Sequence, residues 1–145
     1  MNLSENFTQE ELTWSTTARR LGLDNTPPDD ILANLTATAG GLEQVRALLG
    51  NHPIHIDSGY RCPELNKAVG GATNSAHMKG YAADFVCPDF GSPMDIVTAL
   101  VASDIAFDKC IMEGTWVHIS FDPQARRQAY KAYFGQNGTT YTAWS

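Results

Sequence analysis

Residues 116–121, WVHISF, change character at every step: Val117, Ile119 and Phe121 fall on one side of an extended chain, and Trp116, His118 and Ser120 on the other. The pattern predicts a strand with one apolar face against a core and a second face that carries a histidine. Just upstream, residues 107–112 form a second strand candidate. Glu113-Gly114-Thr115 between them is a short hairpin connection, with a glycine available for the turn. Residues 81–86 are also strand-like. In PIHIDS, residues 53–58, apolar Ile54 and Ile56 alternate with polar His55 and Asp57 until Gly59 ends the run.

Helical signals surround these strands. Residues 7–21 open with Thr8 and, three positions on, Glu11, the pattern of a capping box, and a first helix is predicted there. Gly22, Asn25 and Pro27-Pro28 interrupt it, and Asp29 or Asp30 is placed to cap a second helix over 31–49. In that segment Ile31, Leu35, Leu42, Val45 and Leu49 recur near helical spacing. The Gly40-Gly41 pair costs about 2 kcal/mol against two alanines, which predicts a kink or break near Gly40. Pro63 and Gly70-Gly71 bracket a short helix, and Ser92-Pro93 starts another that carries Ile96, Val97, Leu100 and Val101. At the carboxyl end, QARRQAYKAYF suits a helix ended by Gly135, and QNGTTYTAW a turn followed by a short terminal strand. Helices first, then strands interleaved with further helices, predict an α+β fold: a central, mainly antiparallel sheet with helices packed against it.

A chain of 145 residues fits one domain, 1–145, divided into an N-terminal helical part (about 1–50), a core (about 51–122) and a C-terminal extension (about 123–145). With 43% hydrophobic and 18% charged residues a packed globular fold is expected. A net charge of −6 argues against nucleic acid as the main partner, because binding a phosphate backbone needs a basic face. No apolar run is long enough to insert in a membrane, and MNLSENFTQEELTW lacks the basic start and apolar stretch of a secretory signal. Synthesis in the cytoplasm without a signal peptide, as a monomer, is therefore the expectation. Cys62, Cys87 and Cys110 sit in or beside apolar segments and read as buried thiols, with a Cys62–Cys87 bridge left open.

The chemistry-bearing residues are His77, Asp84 and His118. Two imidazoles and one carboxylate can all be deprotonated ligands near neutral pH, and three protein ligands leave a divalent metal open to water. His77 lies in a loop-like stretch and Asp84 in a strand-like one, so the two can converge across Gly80. Composition alone does not single out these three.

A resemblance does. Residues 75–84, SAHMKGYAAD, follow the S-x-H-x-x-G-x-A-x-D pattern of the zinc D-Ala-D-Ala carboxypeptidase family (LAS-type metallopeptidases). Trp116-Val117-His118 resembles its closing W-x-H, and Ser58-Gly59-Tyr60-Arg61 the S-G-Y-R segment that precedes both. FTQEEL near the start and the LDNTPP loop are similar to a subgroup found in phages and bacteria. The family includes D,D-carboxypeptidases, D,D-dipeptidases and L-alanyl-D-glutamate endopeptidases of phage lysins, and its fold is shared with the hedgehog signalling domain. The resemblance implies Zn2+ held by His77, Asp84 and His118, with peptidoglycan peptide as substrate and Arg61 as the residue that binds it and stabilises the oxyanion. It further implies a phage or prophage endolysin that acts on the cell wall after release. Ser75 and Trp116 are candidate substrate contacts, and each has an ordinary alternative, as a turn cap and as packing. Several relatives place an acidic base three residues before the last ligand, where this chain has Thr115; Glu113, five before it, is the candidate base instead. A non-catalytic zinc module of hedgehog type stays open as the other reading.

Overall fold

The computed structural model describes all residues from Met1 to Ser145. Its helices are α1 (Gln9–Thr13), α2 (Thr16–Leu21), α3 (Asp29–Leu48), α4 (Pro63–Ala68) and α5 (Pro93–Ala102). Its strands are β1 (His55–Ser58), β2 (Ala82–Val86), β3 (Lys109–Glu113), β4 (Trp116–Ser120), β5 (Gln128–Gly135) and β6 (Gly138–Ala143). The strands form one sheet in the order β1-β2-β4-β3-β5-β6, in which only the β3/β5 pairing is parallel. The fold is thus α+β with a mainly antiparallel sheet.

The alternation in WVHISF fixes the two faces. Val117 and Ile119 are fully buried with Ala83, Phe85 and Cys110 from the neighbouring strands. They join one core with Leu35, Leu42 and Val45 of α3 and Ile96, Val97 and Leu100 of α5. Truncating one such leucine to alanine costs about 2–5 kcal/mol, so this face holds the sheet in shape. Residues opposite one another across the strands share a face. Ser58, Asp84, His118, Ile111 and Tyr130 therefore form a single row across the other side of β1, β2, β4, β3 and β5.

Four local expectations are corrected. The first helix is two: the capping box at Thr8 and Glu11 forms, with bonds of 3.1 and 3.2 Å, but the chain turns extended at Trp14 and Ser15 caps a new helix. The second helix runs unbroken through Gly40 and Gly41. Gly41 faces Phe121, whose ring would lie 2.5 Å from an added Cβ, so close packing against the residue after β4 offsets the helix-propensity cost. Neither Asp29 nor Asp30 caps that helix; Pro28 occupies the N-cap and the two acids sit in the first turn, favourable to the helix dipole. The helix suggested by QARRQAYKAYF is absent: residues 128–135 are strand β5, closed into a hairpin with β6. Tertiary pairing with β3 overrides local helix preference there.

All three cysteines are free and buried, and no Cys62–Cys87 bridge is present. Burial pushes the Cys110 thiol up to about 12, so it stays protonated and inert. No helix is long and apolar enough to cross a membrane.

Candidate metal centre

Asp84 sits mid-strand in β2, directly opposite His118 on β4, so the sheet register itself brings a carboxylate and an imidazole together. His77 arrives from a 3-10 turn, Ala76–Lys79, that precedes β2. Two devices hold that turn. The Ser75 hydroxyl oxygen accepts a hydrogen bond from the His77 backbone N–H at 3.2 Å. Gly80 then reverses the chain at φ +78°, a region that disfavours side chains, and its carbonyl accepts from buried Thr38 of α3 at 2.7 Å. An added Cβ at Gly80 would lie 2.9 Å from the Ile31 carbonyl, so the site loop presses directly on α3.

The potential ligand atoms of His77, Asp84 and His118 all lie within 4.8 Å of one another. Asp84 Oδ1 is 3.3 Å from His77 Nε2 and 2.9 Å from His118 Nδ1. Ligands at about 2.0–2.1 Å from a tetrahedral zinc stand about 3.3 Å apart, close to the two spacings from Asp84 Oδ1, so a small inward adjustment of the imidazoles brings this donor set onto one ion. The orientation of His77 is fixed from behind: its Nδ1 is 2.8 Å from the Gly59 carbonyl, which can only accept. Nδ1 therefore carries the proton and Nε2 presents its lone pair to the cluster, the arrangement in which an outer hydrogen bond sets the ligand tautomer.

Protonation states agree with that geometry. His77 is 3% exposed, and burial, only partly opposed by Asp84, lowers its pKa and keeps the imidazole neutral. Asp84 is 8% exposed; burial alone would raise its pKa, but hydrogen bonds with His118 and His77 outweigh it and hold the carboxyl well below the usual carboxylate range. A neutral imidazole and a carboxylate are what a metal needs.

Arg61 reaches the same point. Its guanidinium donates to Ser58 Oγ at 3.1 Å, to Asn66 Oδ1 at 3.4 Å and to Asp84 Oδ2 at 3.4 Å. Burial lowers its pKa, and the charges of Asp84 and Glu113 oppose that. A bulge in β1 makes this possible: pairing shifts between Ile56 and Ser58, so Ser58 rather than Asp57 stands opposite Asp84. A hydroxyl acceptor then occupies the place where a second carboxylate would repel the first. Sequence alternation gave no sign of the bulge.

Glu113 belongs to β3, and the connection is tighter than the sequence suggested, with Gly114 at φ +75° in the turn. Strand alternation therefore does orient Glu113. It stands opposite Trp116 and on the same face as His118, as its diagonal neighbour. Burial raises the pKa of its carboxyl. A cavity of about 630 Å³ opens over this face, lined among others by Arg61, Ser75, His77, Asp84, Glu113 and His118.

Trp116 is the exception. It shares the face but does not line the cavity, and its ring instead packs on Phe134 with centroids 6.2 Å apart. His52 and His55 are exposed and take no part in the cluster.

Residues overlooked in the sequence complete the surroundings. Asn25, in the LDNTPP loop, donates to the carbonyls of Thr13 and Tyr60 and accepts from Cys62 N–H at 2.8 Å, which pins the backbone on both sides of Arg61. Asn66, 4% exposed, bridges Arg61 to the Ala72 carbonyl. Tyr130 and Tyr141 line the cavity from β5 and β6. The LDNTPP resemblance takes in Asn25; nothing local pointed to Asn66 or the tyrosines.

Comparison with known proteins agrees with this geometry. The zinc D-Ala-D-Ala carboxypeptidase of Streptomyces albus G is 44% identical over 52 residues, which make up 36% of this chain. The matched segment spans 20% of that protein's length. The family model described as Peptidase M15 matches residues 5–120, from before α1 to the last residue of β4, and so takes in Arg61, His77, Asp84, Glu113 and His118. On a match of that extent, this chain belongs to the Peptidase M15 family.

Proposed function

We propose that the chain is a zinc-dependent peptidase that hydrolyses amide bonds in peptidoglycan stem peptides, of D,D-carboxypeptidase or endopeptidase type. We further propose that it serves as a phage or prophage endolysin, made in the cytoplasm and released to act on the wall. The observation that carries the reading is the convergence of His77, Asp84 and His118 at the floor of a cleft that Arg61 and Glu113 also line. Family membership and the named substrate of the Streptomyces relative support it.

A zinc ion held by His77, Asp84 and His118 supplies Lewis acidity, which polarises the scissile carbonyl and lowers the pKa of water toward neutrality. Glu113 is the general base. Its raised pKa suits a group that takes a proton from the attacking water and returns it to the leaving amine. Arg61, fixed by Ser58, Asn66 and Asp84, keeps further N–H groups to donate to the carbonyl oxygen as negative charge develops there. Ser75 uses its oxygen as a turn cap and lines the cavity, which leaves its O–H to donate to the substrate backbone.

Purified sacculi incubated with the zinc-loaded protein should release peptide fragments, the release should stop with chelator and return with zinc, and mass analysis of the new amine and acid termini identifies the bond. Zinc-loaded protein that binds sacculi yet releases nothing rejects the peptidase and leaves a non-catalytic module of hedgehog-like fold.

A further inference from the structure

The family match stops at residue 120, yet the sheet continues with β5 from Gln128 and β6 to Ala143. That hairpin is firmly attached. The Asp108 carboxylate, 2% exposed, takes two hydrogen bonds of 2.8 Å from Arg126, and β5 pairs with β3 along four residues. Arg127, at φ +55°, donates to the carbonyls of Val101, Ser103 and Ile105 at the end of α5 and lies over the Phe107 ring.

The attachment gives the cleft a far side. Tyr130 stands in the same row as His118 with Ile111 between them, so β5 lies two strand spacings from β4, about 10 Å. An extended chain needs about one such spacing on each flank, so the trough over Ile111 has the width of one peptide. One row along, Tyr141 faces small, buried Ala132, and both tyrosines line the cavity. Burial and the charge of Glu113 hold the Tyr141 phenol above its ordinary pKa, consistent with its reaching toward the Glu113 end. Across the cavity the lining includes Gly70, Gly71 and Ala72, whose lack of bulk lets a substrate backbone approach closely.

We infer that the C-terminal hairpin is a substrate-holding wall, with Tyr130 and Tyr141 gripping an extended peptide that lies over Ile111 between them and the metal ligands. This deepens the peptidase reading and rests on it for the identity of the peptide. The test uses zinc-loaded full-length protein and a synthetic stem pentapeptide ending in D-Ala-D-Ala. Tyr141→Ala and Tyr130→Ala should each raise KM about tenfold, the scale of one aromatic contact, with kcat changed less than about threefold and zinc content unchanged. Tyr133→Ala, on the opposite face of β5, is the control and should match the wild type. Tyr141 is 53% exposed, so its variant folds even where Tyr130→Ala does not. An unchanged KM in Tyr141→Ala, or a loss confined to kcat, overturns the wall. Should the wild type cleave nothing, the peptidase reading falls, and calorimetric binding of the same peptide decides the wall separately: weaker binding in Tyr141→Ala sustains it, while equal binding, or none in the wild type, rejects it.

Discussion

The cleft has two sides built on opposite principles. On the β2/β4 side, side chains meet because sheet register and a capped turn force them to: Asp84 opposite His118, and His77 locked by Gly59 and Ser75. On the β5/β6 side, the wall is an exposed hairpin held to the rest by one carboxylate, two arginines and a parallel strand pairing. The first carries reactive chemistry on a core that cannot give way; the second carries rings on a mostly solvated element. Substitutions should sort accordingly, with chemistry lost on one side and affinity or local stability on the other.

The largest effect is expected for His118→Ala. Loss of one of three ligands should abolish stoichiometric zinc binding and lower activity by about a thousandfold or more, since the metal contributes several kcal/mol to the transition state. Zinc analysis by mass spectrometry checks it, and a variant that still holds one zinc per chain shows that the ligand set is wrong. Glu113→Gln comes next. It should keep zinc and substrate affinity while kcat falls by about 10²–10⁴-fold, the usual share of general acid–base catalysis. Turnover equal to the wild type removes Glu113 as base and moves attention to the hairpin side, where Tyr141 is its neighbour.

The same contrast explains what could be learned from sequence. The elements of the β2/β4 side were legible because their determinants are local, namely period-two alternation in WVHISF and Pro63 and Ser92-Pro93 at helix starts, whereas the ligand set itself was read from the family resemblance of residues 75–84 and 116–118. Where a distant contact decided the outcome, local reading failed. Gly41 sits mid-helix because Phe121 is against it, the bulge in β1 serves Arg61, and QARRQAYKAYF is extended because β3 offers it a free edge. Glu113 lies between these cases: its identity was readable, but its direction depended on where β3 ended.

Asp108→Asn tests how the hairpin is fastened. The pair is bidentate, but Arg126 is 45% exposed, so solvent screening reduces its worth. Hydrogen bonds from Arg126 hold the Asp108 carboxyl below the ordinary aspartate value of 3.8. A depressed pKa means the folded state releases the proton more readily than the unfolded one. The stabilisation is therefore complete above that ordinary value and is lost as pH falls through the lower folded value. Urea midpoints of wild type and Asp108→Asn should differ by a constant amount from pH 7 to pH 5 and converge in stronger acid. A difference that persists in acid would mean that packing, not the ion pair, holds the hairpin.

The smallest effect separates the neighbours Gly40 and Gly41 beneath the metal side. Nothing lies within 4 Å of a Cβ built on Gly40, whereas one on Gly41 meets the Phe121 ring. Gly40→Ala therefore relieves the conformational entropy cost of a helical glycine and should stabilise the protein by about 0.5–1 kcal/mol. Gly41→Ala gains the same entropy but must displace an aromatic ring that follows directly on β4, an overpacking cost of about 1–3 kcal/mol that wins. Urea denaturation should show opposite signs for the two. Because α3 underlies the His77 turn and Phe121 rather than β5 and β6, limited proteolysis of native protein within 128–143 should be the same in both variants. Equal and opposite changes in hairpin cleavage would show instead that the two sides of the cleft loosen as one cooperative unit.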